Sequence, residues 1–248
     1  MAASQISWRR CLKSPLGRLQ YCGFVSDLRG PAPGGSRLDD KGIRFAEQRD
    51  VPRLAALMSA PQYAGSHMNA EALLRRFDAG DRCLLAERDG SLAAISWIRF
   101  DNASFRRTWL SVPLKKGEAY FAWTHTEPSQ RGRGFATRLA LWRWRWLREQ
   151  GIRVAYSWVR PTNDAMLTVT SRAGAVAVTW VTQYYPRVVH RPRLNFVRVP
   201  STPSSLSDWC SPARMRFPQG LTFFRHATTS ALQPPVERHT SIPTPRVV

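Results

Sequence analysis

The sequence predicts an α/β fold of the α+β type, with one main domain in which strands and helices alternate. Two observations predict it. Strand-like segments at 83–87 and 92–100 flank Asp89-Gly90, a favoured two-residue hairpin turn. An amphipathic helix is predicted over 134–150, with a strand-like segment on either side of it. The 248 residues, 43% of them hydrophobic, suffice for one sizeable core.

Changes in composition divide the chain into three parts. Residues 1–41 predict a basic, weakly ordered arm, because a run of Gly and Pro over 30–36 places a boundary near residue 42. Residues 42–199 predict the folded domain. Residues 200–248 are rich in Pro, Ser and Thr and predict a tail that buries little apolar surface.

The helices and strands of the domain are predicted from the spacing of apolar residues and from the residues that start or end such elements. Asp50 and Pro52 start the first helix as N-cap and early helical proline. Pro128 ends a strand, and Gly151 ends the longest helix as a C-terminal cap. The predicted strands are 43–46, 83–87, 92–100, 118–126, 153–159, 176–182 and 195–199, and the predicted helices are 54–58, 70–77, 134–150 and the segment from Asn163 to Gly174.

Charge and cysteine content narrow the classes of function. The chain has 37 Lys and Arg against 17 Asp and Glu, a net charge of +20 that attracts anions. Nearly all of it is arginine, which a GC-rich coding sequence also produces, so nucleic acid is disfavoured as the partner. The four cysteines form no C-x-x-C pair, which predicts no metal site and a reduced, cytoplasmic protein. No apolar stretch approaches the roughly 18 residues of a membrane span.

A glycine-rich turn before the longest helix is the central motif. A helix N-terminus carries unpaired backbone N–H groups and a partial positive charge, so it binds anions. Gly132 and Gly134 have no β-carbon to keep a pyrophosphate from the main chain, and Ala136 is the next smallest choice. Arg131 and Arg133 can pair with phosphate oxygens. The alternative is that the same residues form a tight turn that binds no phosphate, with the arginines in solvent.

These residues resemble a known family. The pattern Arg131-x-x-Gly134-x-Ala136, after a strand and before a long helix, is similar to the R/Q-x-x-G-x-G/A signature of GNAT acyltransferases. Asn163, followed by Gly174, has the spacing of that family's next helix. The resemblance covers about residues 42–199. It implies a mixed, mostly antiparallel sheet splayed at its centre and flanked by helices.

The resemblance also implies a cofactor and the residues that bind it. The co-substrate would be acetyl-CoA, with its pyrophosphate on the turn and its pantetheine arm paired with the strand that ends at Thr126. The residues implied to bind the cofactor are Thr124, Thr126, Arg131, Gly132, Arg133, Gly134, Phe135, Ala136, Thr137 and Asn163.

Acyl transfer to an amine also needs a proton acceptor and a proton donor. His125 and Glu118 are the titratable candidates for the catalytic base on the central strand, although either can be structural. Many relatives carry a tyrosine seven residues after the helix-opening Asn, where this chain has Thr170. Protonation of the thiolate would then fall to water, Ser171 or Tyr156.

The leading hypothesis is an N-acetyltransferase that acts on a primary amine of a small molecule, such as a metabolite, an amino sugar or an antibiotic-like acceptor. The alternatives are a protein or peptide N-acetyltransferase, or a non-catalytic module that binds acyl-CoA or nucleic acid. In the nucleic-acid alternative, tryptophans of the longest helix would stack on bases. Trp142 and Trp146 lie on its apolar stripe, which leaves Trp144 as the exposed candidate. The sequence leaves the oligomeric state open.

Overall fold

The structure of the protein is a computed structural model. The structure describes residues 16–33, 41–59, 68–103, 110–186, 194–200, 214–215 and 221–227. Among these residues, no helix combines the length and the apolar character that crossing a membrane requires.

The described residues form nine strands and four α-helices, and the elements from β2 to β8 follow the predicted order. The strands are β1 (Leu16–Asp27), β2 (Ile43–Phe45), β3 (Arg82–Arg88), β4 (Ser91–Arg99), β5 (Glu118–Thr126), β6 (Val154–Val159), β7 (Val176–Pro186), β8 (Leu194–Pro200) and β9 (Leu221–Ala227). The helices are α1 (Val51–Met58), α2 (Ala70–Asp78), α3 (Phe135–Glu149) and α4 (Asp164–Arg172).

All nine strands of the described chain belong to one mixed sheet, in the order β2-β3-β4-β5-β6-β1-β7-β8-β9. Neighbours are antiparallel except for β5 with β6 and β8 with β9. The β5–β6 pairing begins at Glu118 and Val154 and stops at Phe121 and Ser157. Beyond that point no described strand pairs with β5 on the side away from β4. The splay that the resemblance implied is therefore confirmed.

The N-terminal segment differs from the prediction. Residues 16–27 were predicted to be part of a weakly ordered arm, but β1 lies inside the sheet, antiparallel to both β6 and β7. The strand is buried on both faces, so it lacks the alternation that marks a half-buried strand. In the sequence, Gly23 also suggests the end of a strand. In the structure it is a site where neighbouring side chains pack closely against the backbone. A β-carbon there would lie 2.4 Å from Thr179 and 2.7 Å from the ring of Trp158.

The C-terminal segment contributes to the sheet as well. Within the predicted tail, β9 pairs with β8 in parallel, and the Arg214 side chain contacts the start of β5. The segment predicted to be a tail that buries little apolar surface thus supplies a strand to the sheet. The rest of the predicted arm and tail, at 1–15, 34–40, 201–213, 216–220 and 228–248, lies outside the described residues.

Helices cover both faces of the sheet. Helices α1 and α2 pack on one face, where Leu54 and Leu73 meet Trp97. Helices α3 and α4 pack on the other face and contact each other through Ala140 and Val169. We call these the α1/α2 face and the α3/α4 face.

The tryptophans of α3 correct one prediction. Trp144, the predicted exposed aromatic, is buried, while Trp142 and Trp146 are half-buried against Phe45. The buried stripe of α3 runs through Leu139, Ala140, Arg143, Trp144 and Leu147 instead.

Candidate functional site

The turn between β5 and α3 is shaped by two glycines. Gly132 and Gly134 have φ angles of 76° and 79°, in the left-handed region that other residues rarely adopt. A β-carbon built on either glycine would have nothing of the described chain within 4 Å. These glycines therefore permit the turn and leave open space above its main chain.

The main-chain amide groups of this turn are available to bind a ligand. Arg138 makes the first intrahelical bond of α3, through its N–H to the carbonyl of Gly134. The main-chain N–H groups before it, from Gly132 to Thr137, have no hydrogen-bond acceptor among the described residues. We call residues 131–137 the cradle. Six consecutive unpaired amides at a helix N-terminus are suited to an anion with several oxygens.

Arginine side chains surround the cradle. Arg131 and Arg133 are exposed, and Arg131 Nε also donates to the carbonyl oxygen of Thr126 at 3.4 Å. A cleft of about 570 Å³ adjoins the cradle. Its charged lining residues are Lys41, Glu87, Arg88, Asp89, Arg133 and Arg138, so cations outnumber carboxylates.

A β-bulge reverses the faces of β5 just before the site. Trp97 pairs with Trp123 and Ile98 with Phe121, which leaves Ala122 as the extra residue. Phe121 therefore faces α3, while Trp123 packs on the α1/α2 face. After the bulge, Thr124 points toward α3 and His125 toward the α1/α2 face.

Beneath this stretch of β5 lies a buried arginine that sequence reasoning missed. Arg143 Nη1 donates to Ser96 Oγ at 2.5 Å and to Thr124 Oγ1 at 3.0 Å. Its guanidinium carbon lies 3.7 Å from the centroid of the Phe121 ring. No described acidic side chain pairs with it, and burial lowers its pKa to about 9. Its place on α3 between apolar residues was the available signal.

His125 is half-buried on β5, at the end where β5 and β6 separate. Burial and, to a smaller extent, the positive charge of Arg131 together lower its pKa to about 4. The imidazole is therefore neutral at pH 7. A neutral imidazole can accept a proton, although a base with this pKa is a weak one.

Glu118 lies at the opposite end of the same strand. Seven residues separate it from His125, roughly 20 Å along the strand. Glu118 accepts hydrogen bonds from Tyr156 Oη at 2.8 Å, from Arg214 Nη2 at 2.6 Å and from the amide of Lys115 at 2.7 Å. Burial alone would raise its pKa, but these contacts outweigh it and leave the pKa lowered. The structure thus places Glu118 away from the cradle, and its role as a catalytic base stays a prediction.

The candidate proton donors differ in their contacts and exposure. The Tyr156 hydroxyl donates a hydrogen bond to Glu118, and burial raises the pKa of Tyr156. Thr170 is buried on α4, and Ser171 is exposed. Asn163 is the N-cap of α4, because its Oδ1 accepts from the amide of Met166 at 3.2 Å. That confirms the cap and leaves a cofactor contact of this exposed side chain as a prediction.

The chain is similar to proteins of a known family. A model of the Acetyltransferase (GNAT) family matches residues 36–174. A putative GNAT acetyltransferase from Novosphingobium aromaticivorans is 24% identical, over 67% of this chain and 63% of its own, with a TM-score of 0.47. The ribosomal-protein-alanine N-acetyltransferase of Brucella melitensis is 20% identical, over 53% of this chain and 82% of its own, with a TM-score of 0.41.

Aminoglycoside N-acetyltransferase AAC(6')-Iy, solved in complex with CoA, is 20% identical over 53% of this chain and 89% of its own, with a TM-score of 0.40. A search of curated proteins finds no match. The splayed mixed sheet and the match to the family model define the class as acyltransferases. The family match spans more than half of the 248 residues, and the chain belongs to the GNAT acetyltransferase family.

Proposed function

We propose that this chain is an N-acetyltransferase that moves an acetyl group from acetyl-CoA to a primary amine of a small molecule. The observation that carries the proposal is the run of unpaired amides from Gly132 to Thr137 at the start of α3. It lies directly beside the unpaired edge of β5, so one elongated ligand can contact both.

The residues present fit a pyrophosphate and a pantetheine arm. The amides of the cradle would hold the pyrophosphate, with Arg131 and Arg133 adding charge. Open space above Gly132 and Gly134 supports this fit, because β-carbons there would fill it. The edge of β5 from Thr124 to Thr126 would pair with the amides of the arm like an added strand. Asn163, at the start of α4, would contact the arm from the other side of the gap.

Acetyl-CoA supplies a thioester whose C–S bond breaks as the C–N bond forms, with the electron pair leaving on sulfur and one proton leaving the nitrogen. The chain's own contribution is chiefly orientation of the two substrates, which can supply on the order of 7 kcal/mol or more of the barrier. His125, neutral at pH 7, would accept the proton of the nitrogen directly or through water. Since Tyr156 is bonded to Glu118 and Thr170 is buried, we assign protonation of the thiolate to water.

Thermal unfolding tests the proposal. Acetyl-CoA at about 100 times its dissociation constant should stabilise the protein by roughly 2.7 kcal/mol. Duplex DNA at physiological salt should not reproduce this shift. If DNA stabilises the protein with a steep salt dependence and acetyl-CoA has no effect, the acyltransferase assignment is wrong and a nucleic-acid module is favoured. Release of CoA thiol in the presence of an amine panel then tests turnover.

A further inference from the structure

The acceptor must approach the gap between β5 and β6 from one particular face. Helices α3 and α4 pack against each other and cover the α3/α4 face. Helix α4 also packs on Phe24 of β1 and Val159 of β6, beside the gap. His125 points to the opposite, α1/α2 face. Because His125 points to the α1/α2 face, an amine that contacts its imidazole must do so on that face of the sheet.

An arginine follows β6 on that same face. Cys22 pairs with Val159, so the next residues along the two strands, Tyr21 and Arg160, stand side by side. Tyr21 is buried in one cluster with Tyr156 and Trp158, which fixes the face to which this pair belongs. Arg160 Nε donates to Tyr21 Oη at 3.4 Å, and its guanidinium carbon lies 5.8 Å from the centroid of the Tyr21 ring.

The Arg160 guanidinium is held in place but not neutralised. The Tyr21 side chain that holds it is only 1% exposed, so the Tyr21 side of the contact is fixed by packing. None of the described acidic side chains pairs with Arg160, which is itself half-buried. A planar guanidinium held by a tyrosine, with its outer nitrogens uncommitted, is suited to a bidentate anion.

Charge on the other side of the gap has the same sign. The positive charge of Arg131 acts on His125 and lowers its pKa, although burial is the larger cause. A positive field also lowers the pKa of an incoming ammonium group, which favours the neutral amine that attacks an acyl carbon. The same field repels a molecule with several ammonium groups.

We propose, resting on the acetyltransferase function above, that the acceptor is a small amine that also carries an anionic group, and that Arg160 binds this group. The acceptor class is then amino acids and similar acidic amines. Polycationic amino sugars are excluded from it.

Matched acceptors test this inference. The panel contains an ω-amino carboxylic acid, its primary amide of equal length, the corresponding aminophosphonic acid and a polycationic aminoglycoside. CoA thiol release gives kcat/KM for each. We expect the carboxylic acid to exceed its amide by about 10- to 100-fold, the usual range for a hydrogen-bonded charge. The aminophosphonic acid shows whether Arg160 prefers a planar or a tetrahedral anion, and a rate above that of the amide supports the inference in either case.

Two variants locate the effect. Arg160→Gln should raise KM for the acid until acid and amide differ by less than about 3-fold, with no change in the acetyl-CoA dissociation constant. Arg153→Gln removes the same charge from the opposite end of β6 and should preserve the preference. Glu127, half-buried just after β5, would be the partner of a cationic acceptor. Glu127→Gln should therefore leave the preference unchanged.

The outcomes separate this inference from the function on which it rests. Thiol release with equal rates for acid and amide, or faster release with the aminoglycoside, would overturn the inference alone. An acid preference that survives Arg160→Gln would also overturn it. No thiol release with any amine would overturn the proposed function and the inference together.

Discussion

The two ends of β5 carry polar groups of the same kinds but use them differently. At the closed end, where β5 pairs with β6, Glu118 is bonded to Tyr156 and Arg214 within the fold. At the open end, the amides of the cradle have no acceptor among the described residues. Polar groups that have hydrogen-bond partners within the fold stabilise the structure. Polar groups without such partners among the described residues are available to a ligand. The position of a titratable residue on a strand therefore matters more than its type.

The largest effect is expected at the closed end. Glu118→Gln removes the charge that neutralises Arg214, and both side chains are only 11% exposed. We expect a loss of about 3 kcal/mol in the free energy of unfolding, measured with urea, because the buried Arg214 loses its ion pair with the Glu118 carboxylate. Acetyl-CoA affinity should not change.

The pH dependence of the same variant is a control. The pKa of Glu118 is lowered from its ordinary value of 4.5, so its contribution is complete above that value. The stability difference between wild type and Glu118→Gln should shrink as the pH falls below about 4.5. A fall in acetyl-CoA affinity would contradict the separation of the two ends.

At the open end, Gly134→Ala should weaken acetyl-CoA binding by about 10- to 100-fold, the loss expected when a hydrogen bond to a charged oxygen is blocked. Calorimetric titration measures it. Gly151→Ala is the matched control, since Gly151 lies at the other end of α3 with a φ of 75° and open space for a β-carbon. The two variants should lose similar stability, about 1 kcal/mol each. Equal affinities would count against the cradle.

A smaller effect is expected for the buried arginine. Arg143→Met should change the free energy of unfolding by less than about 1 kcal/mol, because no described carboxylate loses its partner. Ser96 and Thr124 retain their mutual hydrogen bond of 2.9 Å between hydroxyl oxygens. A loss near that of Glu118→Gln would show that an acidic partner exists, and denaturant unfolding decides between the two results.

The smallest effect concerns His125. An NMR titration, assigned with His125→Gln, should place its pKa near 4 and not near 6.5. The pH profile of kcat/KM should then show no His125 transition at 6.5. Arg131→Gln should raise the pKa of His125 slightly, because removal of a positive charge favours imidazolium while burial, the larger cause, stays. An ordinary titration near 6.5 would mean that the site is more open to water.

The sequence predicted the parts of the fold that depend on local signals. Asp89-Gly90 marked the β3–β4 hairpin, and Asn163 marked the start of α4, because turns and caps involve neighbours in the chain. The cradle was found for the same reason. The effect of glycines next to a helix start depends only on residues that are close in the chain.

What the sequence did not reveal depends on partners far along the chain. The β1 strand was missed because its neighbours are β6 and β7, and nothing local shows that Gly23 packs against Thr179 and Trp158. The bulge at Ala122 decides which face Thr124 and His125 occupy, and no residue type encodes it. The ion pair of Glu118 with Arg214 was missed because Arg214 belongs to a segment of tail-like composition.

The central place of β1 has a consequence for biosynthesis. Its two neighbours in the sheet emerge from the ribosome roughly 10 to 30 s later at usual elongation rates. During that interval a strand with two unpaired edges is exposed to water and to other chains, which is a recognised aggregation hazard. The folding rate should then be limited by closure of this long loop, since non-local pairing costs chain entropy before it is rewarded by contacts. Chaperone capture of the nascent chain would act on this segment first.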